Sequence, residues 1–97
     1  MTKAERQWVD SSVRIGCIVC FERGFPETPG VVHHILKGGR RQSHKETLCL
    51  CDPGHHQYPP KGSGKIARHP TKARFEAAYG TEAHLLDRTR ELVEVTA

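Results

Sequence analysis

The sequence has 97 residues, a net charge of +4 at pH 7 and 36% hydrophobic residues. This length fits one domain, residues 1–97, and the positive charge suits a polyanionic partner. No apolar run is long enough to span a membrane, and the opening segment MTKAERQWVD lacks the apolar stretch of a signal peptide. We therefore expect a cytoplasmic protein with no membrane partner.

Helical patterns lie at the two ends of the sequence. Thr2 and Glu5 have the spacing of a capping box, and Gly16 follows the apolar pattern, which predicts a helix over residues 2–15. Residues 71–95 show helical spacing of their apolar positions, interrupted once by glycine, and predict the C-terminal helices.

The centre of the sequence has the pattern strand, loop, strand, short helix. Residues 31–36 and 47–51 are short apolar runs that predict strands. Asp52, followed by proline, can cap a short helix, and a loop rich in proline and glycine follows over 59–70. The expected fold is α+β, with a ββα core and a metal knuckle within residues 17–58.

The cysteines predict a structural zinc site, because thiols in a reducing cytoplasm bind metal more often than they pair. Cys17 and Cys20 form a C-x2-C pair, and Cys51 and His55 follow as C-x3-H. Zinc contributes an apparent binding free energy of about 10–16 kcal/mol in small domains. Cys49 belongs to neither of these pairs and is expected to be a small buried hydrophobe. Ordinary buried thiols, or a redox C-x-x-C pair without the usual βαβ pattern, are the alternatives.

Two histidine doublets, His33–His34 and His55–His56, lie near these cysteines. Adjacent strand residues face opposite ways, so His33 and His34 are not expected to share one role. One can hold a metal while the other, as a neutral imidazole, deprotonates water, which suits a single-metal nuclease. The alternative is a pair of structural histidines on a buried strand.

The segment CIVC…VVHHILKGGRRQSHKETLCLCDPGHH resembles the core of HNH endonucleases, which have a ββα-metal fold. Over residues 5–93 the chain is similar to the Ref-like family of phage recombination-enhancement, RecA-dependent nucleases, through segments that include RHP and FEAAYGTEAHLL. The resemblance implies a metal-dependent DNA endonuclease of little sequence specificity, directed by a RecA–DNA filament. It also implies a phage or prophage gene expressed in a bacterial host.

The resemblance implies a second metal besides the structural zinc. Its ligands would be His33, His56 and His69, and the ion could be Mg²⁺, Mn²⁺, Zn²⁺ or Ni²⁺. His55 and His56 could exchange roles, because the spacing after Cys51 leaves their phasing open. No small-molecule cofactor is implied.

The resemblance also implies that His34 is the general base. In this superfamily an asparagine usually orients the base, and the sequence contains no asparagine. Thr47 falls near that position, and His44 is the competing candidate.

Basic residues in two loops are the candidate DNA contacts, because phosphate contacts give affinity without reading sequence. No base-reading element is recognisable in the sequence, so targeting is expected to come from a partner. The candidates are Lys37, Arg40, Arg41, Lys61, Lys65 and Arg68.

Two other function classes fit part of this pattern. A non-catalytic zinc-stabilised module that binds DNA or protein would share the cysteines and the charge, but would give His34 and His56 no special role. A redox or hydrolytic zinc enzyme for small molecules would need a deep apolar pocket, for which so short a chain leaves little room.

Overall fold

The computed structural model describes residues 1–96 and has the predicted α+β architecture, with helices packed around two small antiparallel sheets. The helices are α1 (Lys3–Ile15), α2 (Ile18–Glu22), α3 (Lys72–Tyr79) and α4 (Glu82–Thr96). The strands are β1 (Val31–His34), β2 (Leu36–Lys37), β3 (Arg40–Arg41) and β4 (Thr47–Leu50).

Helix α1 begins with the predicted capping box. The Thr2 backbone N–H donates to Glu5 Oε1 at 2.9 Å, and the Glu5 N–H donates to Thr2 Oγ1 at 3.1 Å. The helix ends at Gly16, whose φ of +90° suits glycine. Trp8 is buried, and its Nε1 donates to Thr47 Oγ1 at 3.0 Å, which fixes α1 against β4.

The central sheet pairs β1 with β4 in antiparallel register. His33 lies opposite Leu48, and His34 lies opposite Thr47. Both predicted strands are present, although β1 ends at His34 and β4 at Leu50, earlier than predicted. All of β4 is buried, whereas on β1 His33 is buried and His34 is half-buried. The two adjacent histidines thus have different environments.

A small hairpin, β2 and β3, lies where the sequence analysis predicted the end of a strand and a polar loop. Gly38 and Gly39 form its turn with φ of +58° and +75°. Two consecutive residues of positive φ form the tight turn that matches the twist of paired strands. The chain therefore reverses soon after β1 instead of extending it through Leu36.

The prediction of a short helix that begins at Asp52 is wrong, because the chain forms turns and bends after β4. Gly54 has a φ of +148°, far from helical values, and its N–H donates to the Gln57 carbonyl at 2.8 Å. The His56 N–H donates to the Cys51 carbonyl at 2.9 Å. These bonds wrap the segment into a tight turn, so the ββα core has its strands but lacks its helix here.

Helix α2 is a single short helix that the sequence analysis did not predict. Cys17 occupies its N-cap position and Cys20 lies within it. Five residues are too few to show helical periodicity. The C-x2-C pair is therefore held on the first turn of a helix.

The two C-terminal helices are present as predicted. Phe75 on α3 and Leu85 on α4 are fully buried in the core. Thr81 caps α4, because its Oγ1 accepts the His84 N–H at 3.1 Å. None of the helices within residues 1–96 is long and apolar enough to cross a membrane.

Candidate functional site

Four buried side chains form a group that could hold a zinc ion: Cys17, Cys20, Cys51 and His55. Cys20 Sγ lies 3.8 Å from Cys51 Sγ, and His55 Nδ1 lies 3.3–3.6 Å from the three sulfurs. In a tetrahedral zinc site, Zn–S and Zn–N bonds of about 2.3 and 2.0–2.1 Å place ligands about 3.6–3.8 Å apart. The donor set and its spacing therefore fit Zn²⁺.

The surroundings of this group suit metal ligation. Burial, assisted by Lys65 and Arg23, lowers the pKa of His55 to about 4, so its ring is neutral near pH 7. Cys51 Sγ accepts hydrogen bonds from the His55 N–H at 3.3 Å and from Lys65 Nζ at 3.5 Å, which favours its thiolate. Cys49 is a buried free thiol outside the group, and burial raises its pKa to about 11.

A second group brings together three histidines from three separate segments: His33, His56 and His69. Their ring centroids lie 5.0–5.3 Å apart in edge-on pairs. The His69 N–H donates to the His56 carbonyl at 3.0 Å, which ties the loop after the turn to the turn itself. The three rings line a cleft of about 320 Å³, together with Val32, His34, Leu36 and Arg41.

Two carboxylates set the proton positions on this cluster. Glu82 Oε2 lies 2.6 Å from His33 Nε2, and Asp52 Oδ2 lies 3.0 Å from His56 Nδ1. Both carboxyl pKa values are lowered, so each carboxylate is ionised and can only accept. His33 Nε2 and His56 Nδ1 must therefore donate, which leaves His33 Nδ1 and His56 Nε2 with lone pairs when the rings are neutral. Histidine ligands of metals are commonly oriented this way.

Glu82 is a buried carboxylate that contacts His33, Arg68 and Lys72, and it was not among the site residues predicted from the sequence. Burial alone would raise its pKa, but hydrogen bonds from His33 and Arg68 outweigh that effect and hold the pKa at about 2. Arg68 Nε donates to it at 3.0 Å, and Lys72 Nζ lies 3.6 Å away. In the sequence, Glu82 looks like an ordinary acidic residue in the first turn of a helix. Its one signal is its place in the GTEAHLL segment that carries the family resemblance.

His34 points to a different partner, His44, and its Nε2 lies 3.1 Å from His44 Nδ1. Thr47, the other candidate for orienting His34, uses its hydroxyl elsewhere. It accepts from Trp8 Nε1 and donates to the His44 carbonyl at 2.9 Å. Glu5 Oε2 accepts the His44 backbone N–H at 3.1 Å. Thr47 and Glu5 therefore hold the loop on which His44 lies.

The environment of His34 favours a neutral ring. Burial lowers its pKa, and the nearby positive charge of Arg41 and the rings of His44 and His33 lower it further. An imidazole of lowered pKa carries a lone pair near neutral pH and can accept a proton.

The sequence model of the family described as recombination enhancement, RecA-dependent nuclease matches residues 1–94. The chain belongs to this family. A search of curated proteins found no match. Both groups that could hold a metal, the His34–His44 pair and Glu82 lie within the matched residues.

Membership in a nuclease family implies DNA as the substrate, and this makes the basic residues of the cleft relevant. Arg41 lines the three-histidine cleft and its side chain is exposed, as is that of Arg40 next to it on β3. Lys37 on β2 is exposed as well and pairs with Glu46 at 2.9 Å. Of the three cations on the hairpin, Arg41 faces the cleft, and Lys37 and Arg40 are exposed at the neighbouring positions.

The three predicted DNA contacts of the proline- and glycine-rich loop lie in different environments. Lys61 is exposed. Lys65 is half-buried and directs its ammonium at Cys51, so it serves the cysteine group. The Arg68 side chain is only 11% exposed and is paired with Glu82. Their existing contacts give Lys65 and Arg68 a role within the protein.

Proposed function

We propose that the chain is an HNH-type endonuclease that hydrolyses DNA phosphodiester bonds with His34 as the general base. The observation that carries the proposal is the position of His34. The half-buried ring of His34 lies in the same cleft as the three-histidine cluster. On β1, His34 directly follows His33, which is a member of that cluster. A base and a metal-binding group that open into one cleft are the parts that metal-assisted phosphodiester hydrolysis needs.

The cluster's donor set fits a divalent metal. His33 offers Nδ1 and His56 offers Nε2, each with its other nitrogen held by a carboxylate, and His69 supplies a third imidazole. When bound there, a divalent ion would stabilise negative charge on the phosphate and on the leaving 3′-oxygen. Imidazole ligands suit Zn²⁺ and Ni²⁺ better than Mn²⁺ and Mg²⁺, which prefer oxygen ligands.

His34 would take the proton from the attacking water at Nδ1. For this, its Nε2–H must donate to His44 Nδ1, which leaves Nδ1 of His34 unprotonated. His44 would then be the residue that orients the base, with Thr47 and Glu5 positioning its loop. This assignment favours His44 over Thr47 for the orienting role.

Phosphate binding would come from the hairpin beside the cleft. The proposed contacts are Arg41, Arg40 and Lys37, and Lys61 extends the basic surface on the other loop. Such contacts are insensitive to base sequence. We therefore propose that specificity is low and that a RecA–DNA filament directs the enzyme to its site of cleavage.

The test is a DNA cleavage assay with and without RecA filaments, run on the wild-type chain and on His34→Ala. We expect His34→Ala to lose about 10²- to 10⁴-fold in cleavage rate, because general-base catalysis contributes on that order. Both metals should remain bound, since His34 belongs to neither metal-binding group. The matched control is His84→Ala, a histidine of α4 outside the cleft.

Full activity in His34→Ala would contradict the proposed base. A wild-type chain that binds DNA and a single zinc ion but never cleaves, even with filaments and each candidate metal, would support the non-catalytic DNA-binding module instead.

A further inference from the structure

A second concave surface adjoins the three-histidine cleft. It has a volume of about 570 Å³, within the usual range for ligand pockets. His69 lines both this pocket and the cleft, so it forms a wall between them. A DNA strand with a phosphate at the cluster would therefore place a neighbouring nucleotide at this pocket.

The segment that lines the pocket is fixed by hydrogen bonds from two of its backbone N–H groups. The Arg68 N–H donates to the His55 carbonyl at 2.7 Å, and the Ile66 N–H donates to the Tyr79 hydroxyl at 3.0 Å. Ala67 between them is buried. The pocket is thus formed before any ligand arrives.

Tyr58 is an exposed aromatic residue at the rim of this pocket. Its side chain is 75% exposed, and its φ is +52°, an uncommon value for a residue other than glycine. Strained backbone of this kind tends to occur where a side chain serves binding. Pro59, Ile66 and Pro70 add apolar surface beside the ring.

The charge of the pocket suits a nucleic acid. Arg74 and Lys65 line it and none of its lining residues is acidic, and because the Lys65 ammonium is directed at Cys51, Arg74 is the cation available to a ligand. The Arg74 side chain is exposed and has no ion pair among residues 1–96. Its guanidinium is free to contact a phosphate or to stack on a base.

We propose that this pocket is a subsite for one unpaired nucleobase, which stacks on Tyr58 while its phosphate lies near the histidine cluster. The subsite rests on the proposed nuclease function, and it specifies the substrate as a strand with unpaired bases. A base in a duplex is already stacked and paired and cannot reach the ring without flipping out. Stacking on aromatic side chains is tolerant of base identity, in keeping with low sequence specificity.

The experiment measures DNA binding in the full chain carrying His34→Ala, which prevents cleavage. The probe is a single-stranded oligonucleotide with one 2-aminopurine, whose fluorescence falls on stacking, compared with a duplex of the same sequence. Adding Tyr58→Ala should weaken single-strand binding about 5- to 150-fold and abolish the quenching, and duplex binding should change less than about twofold. Tyr58→Trp should restore both signals.

The matched control is Phe25→Ala, since Phe25 is 67% exposed and lines neither the pocket nor the cleft. Unchanged single-strand binding in Tyr58→Ala, or equal weakening of single strand and duplex, would overturn the subsite. Because the readout is binding, this result is independent of catalysis. A wild-type chain that stacks the probe but never cuts DNA would contradict the nuclease and retain the subsite.

Discussion

At the scale of single residues, the histidine cluster depends on two carboxylates, one far from its histidine in the sequence and one close to it. Glu82 is 49 positions from His33 and bonds it at 2.6 Å in a buried setting. Asp52 makes the corresponding bond to His56, only four positions away. Each carboxylate fixes one tautomer and one ring orientation, so the cluster offers its lone pairs in a single arrangement.

We predict that Glu82→Gln lowers the metal affinity of the cluster by about 10- to 100-fold. The substitution removes the charge that holds His33 and leaves Arg68, largely buried, without its counter-ion. Isothermal titration with Zn²⁺, on chains whose cysteine group is already loaded, measures the affinity, and thermal unfolding measures stability separately. Glu91→Gln, on the exposed face of the same helix, is the control. If affinity stayed at the wild-type value while stability fell, Glu82 would be structural and not a positioning residue.

At the scale of elements, the end of α1 sets the position of Cys17, the first residue of the candidate zinc site. Gly16 ends the helix with a φ of +90°, and the next residue, Cys17, donates its N–H to the Thr28 carbonyl at 2.8 Å. A Cβ on Gly16 would lie 2.7 Å from that same carbonyl oxygen. The approach of two backbones therefore fixes where the C-x2-C pair begins.

We predict that Gly16→Ala destabilises the fold more than Gly24→Ala, by about 1–3 kcal/mol in the free energy of unfolding. Both glycines have a φ near +90°, but a Cβ on Gly24 meets no atom within 4 Å. The two variants share the cost of the left-handed conformation and differ in the clash. Chemical denaturation measures the difference, and zinc affinity should fall with Gly16→Ala alone. Equal loss in the two variants would show that the clash relaxes freely.

The elements that the sequence predicts are those with a local signal. The cap at Thr2 and Glu5 and the strands around His33 and Leu48 follow from neighbouring residues alone. The cysteine group follows from spacing, because C-x2-C and C-x3-H each bring two ligands to one point. Near Asp52 the local signal misleads, because the turn is set by Gly54 and by the bond from His56 to Cys51.

Contacts between distant segments are the part that the sequence does not predict. The pairing of Arg68 with Glu82 and the contact of Lys65 with Cys51 depend on the folded chain, so both cations look like free DNA contacts in the sequence. The sequence likewise does not decide whether Thr47 or His44 orients His34. Only the folded chain directs the Thr47 hydroxyl to Trp8 and to the His44 carbonyl.

At the scale of the whole molecule, the cysteine group joins the N-terminal part of the chain to its centre. Two ligands lie at α2 and two lie after β4. Zinc binding free energy of about 10–16 kcal/mol is comparable to the entire stability of a domain, about 5–15 kcal/mol. A chain of this length buries a smaller share of its surface on folding than a larger domain does, so zinc binding would add substantially to its stability.

We predict that Cys51→Ser unfolds the chain or leaves it partly folded, whereas Cys49→Ser folds and keeps its structural zinc. Both thiols are buried and lie two residues apart, but only Cys51 belongs to the candidate metal-binding group. Circular dichroism and zinc content of the two variants provide the comparison. A folded, zinc-free Cys51→Ser protein would contradict a structural role for the metal.

The proposed catalytic cleft depends on carboxylates from both ends of the chain, the capping carboxylate of Glu5 and the buried carboxylate of Glu82. Glu5, near the start of the chain, holds the backbone of His44, and Glu82, in the last helix, holds His33. The cysteine group, by contrast, takes all four of its side chains from residues 17–55. A chain that ended before α4 would therefore keep every member of the cysteine group but lose the carboxylate that orients His33.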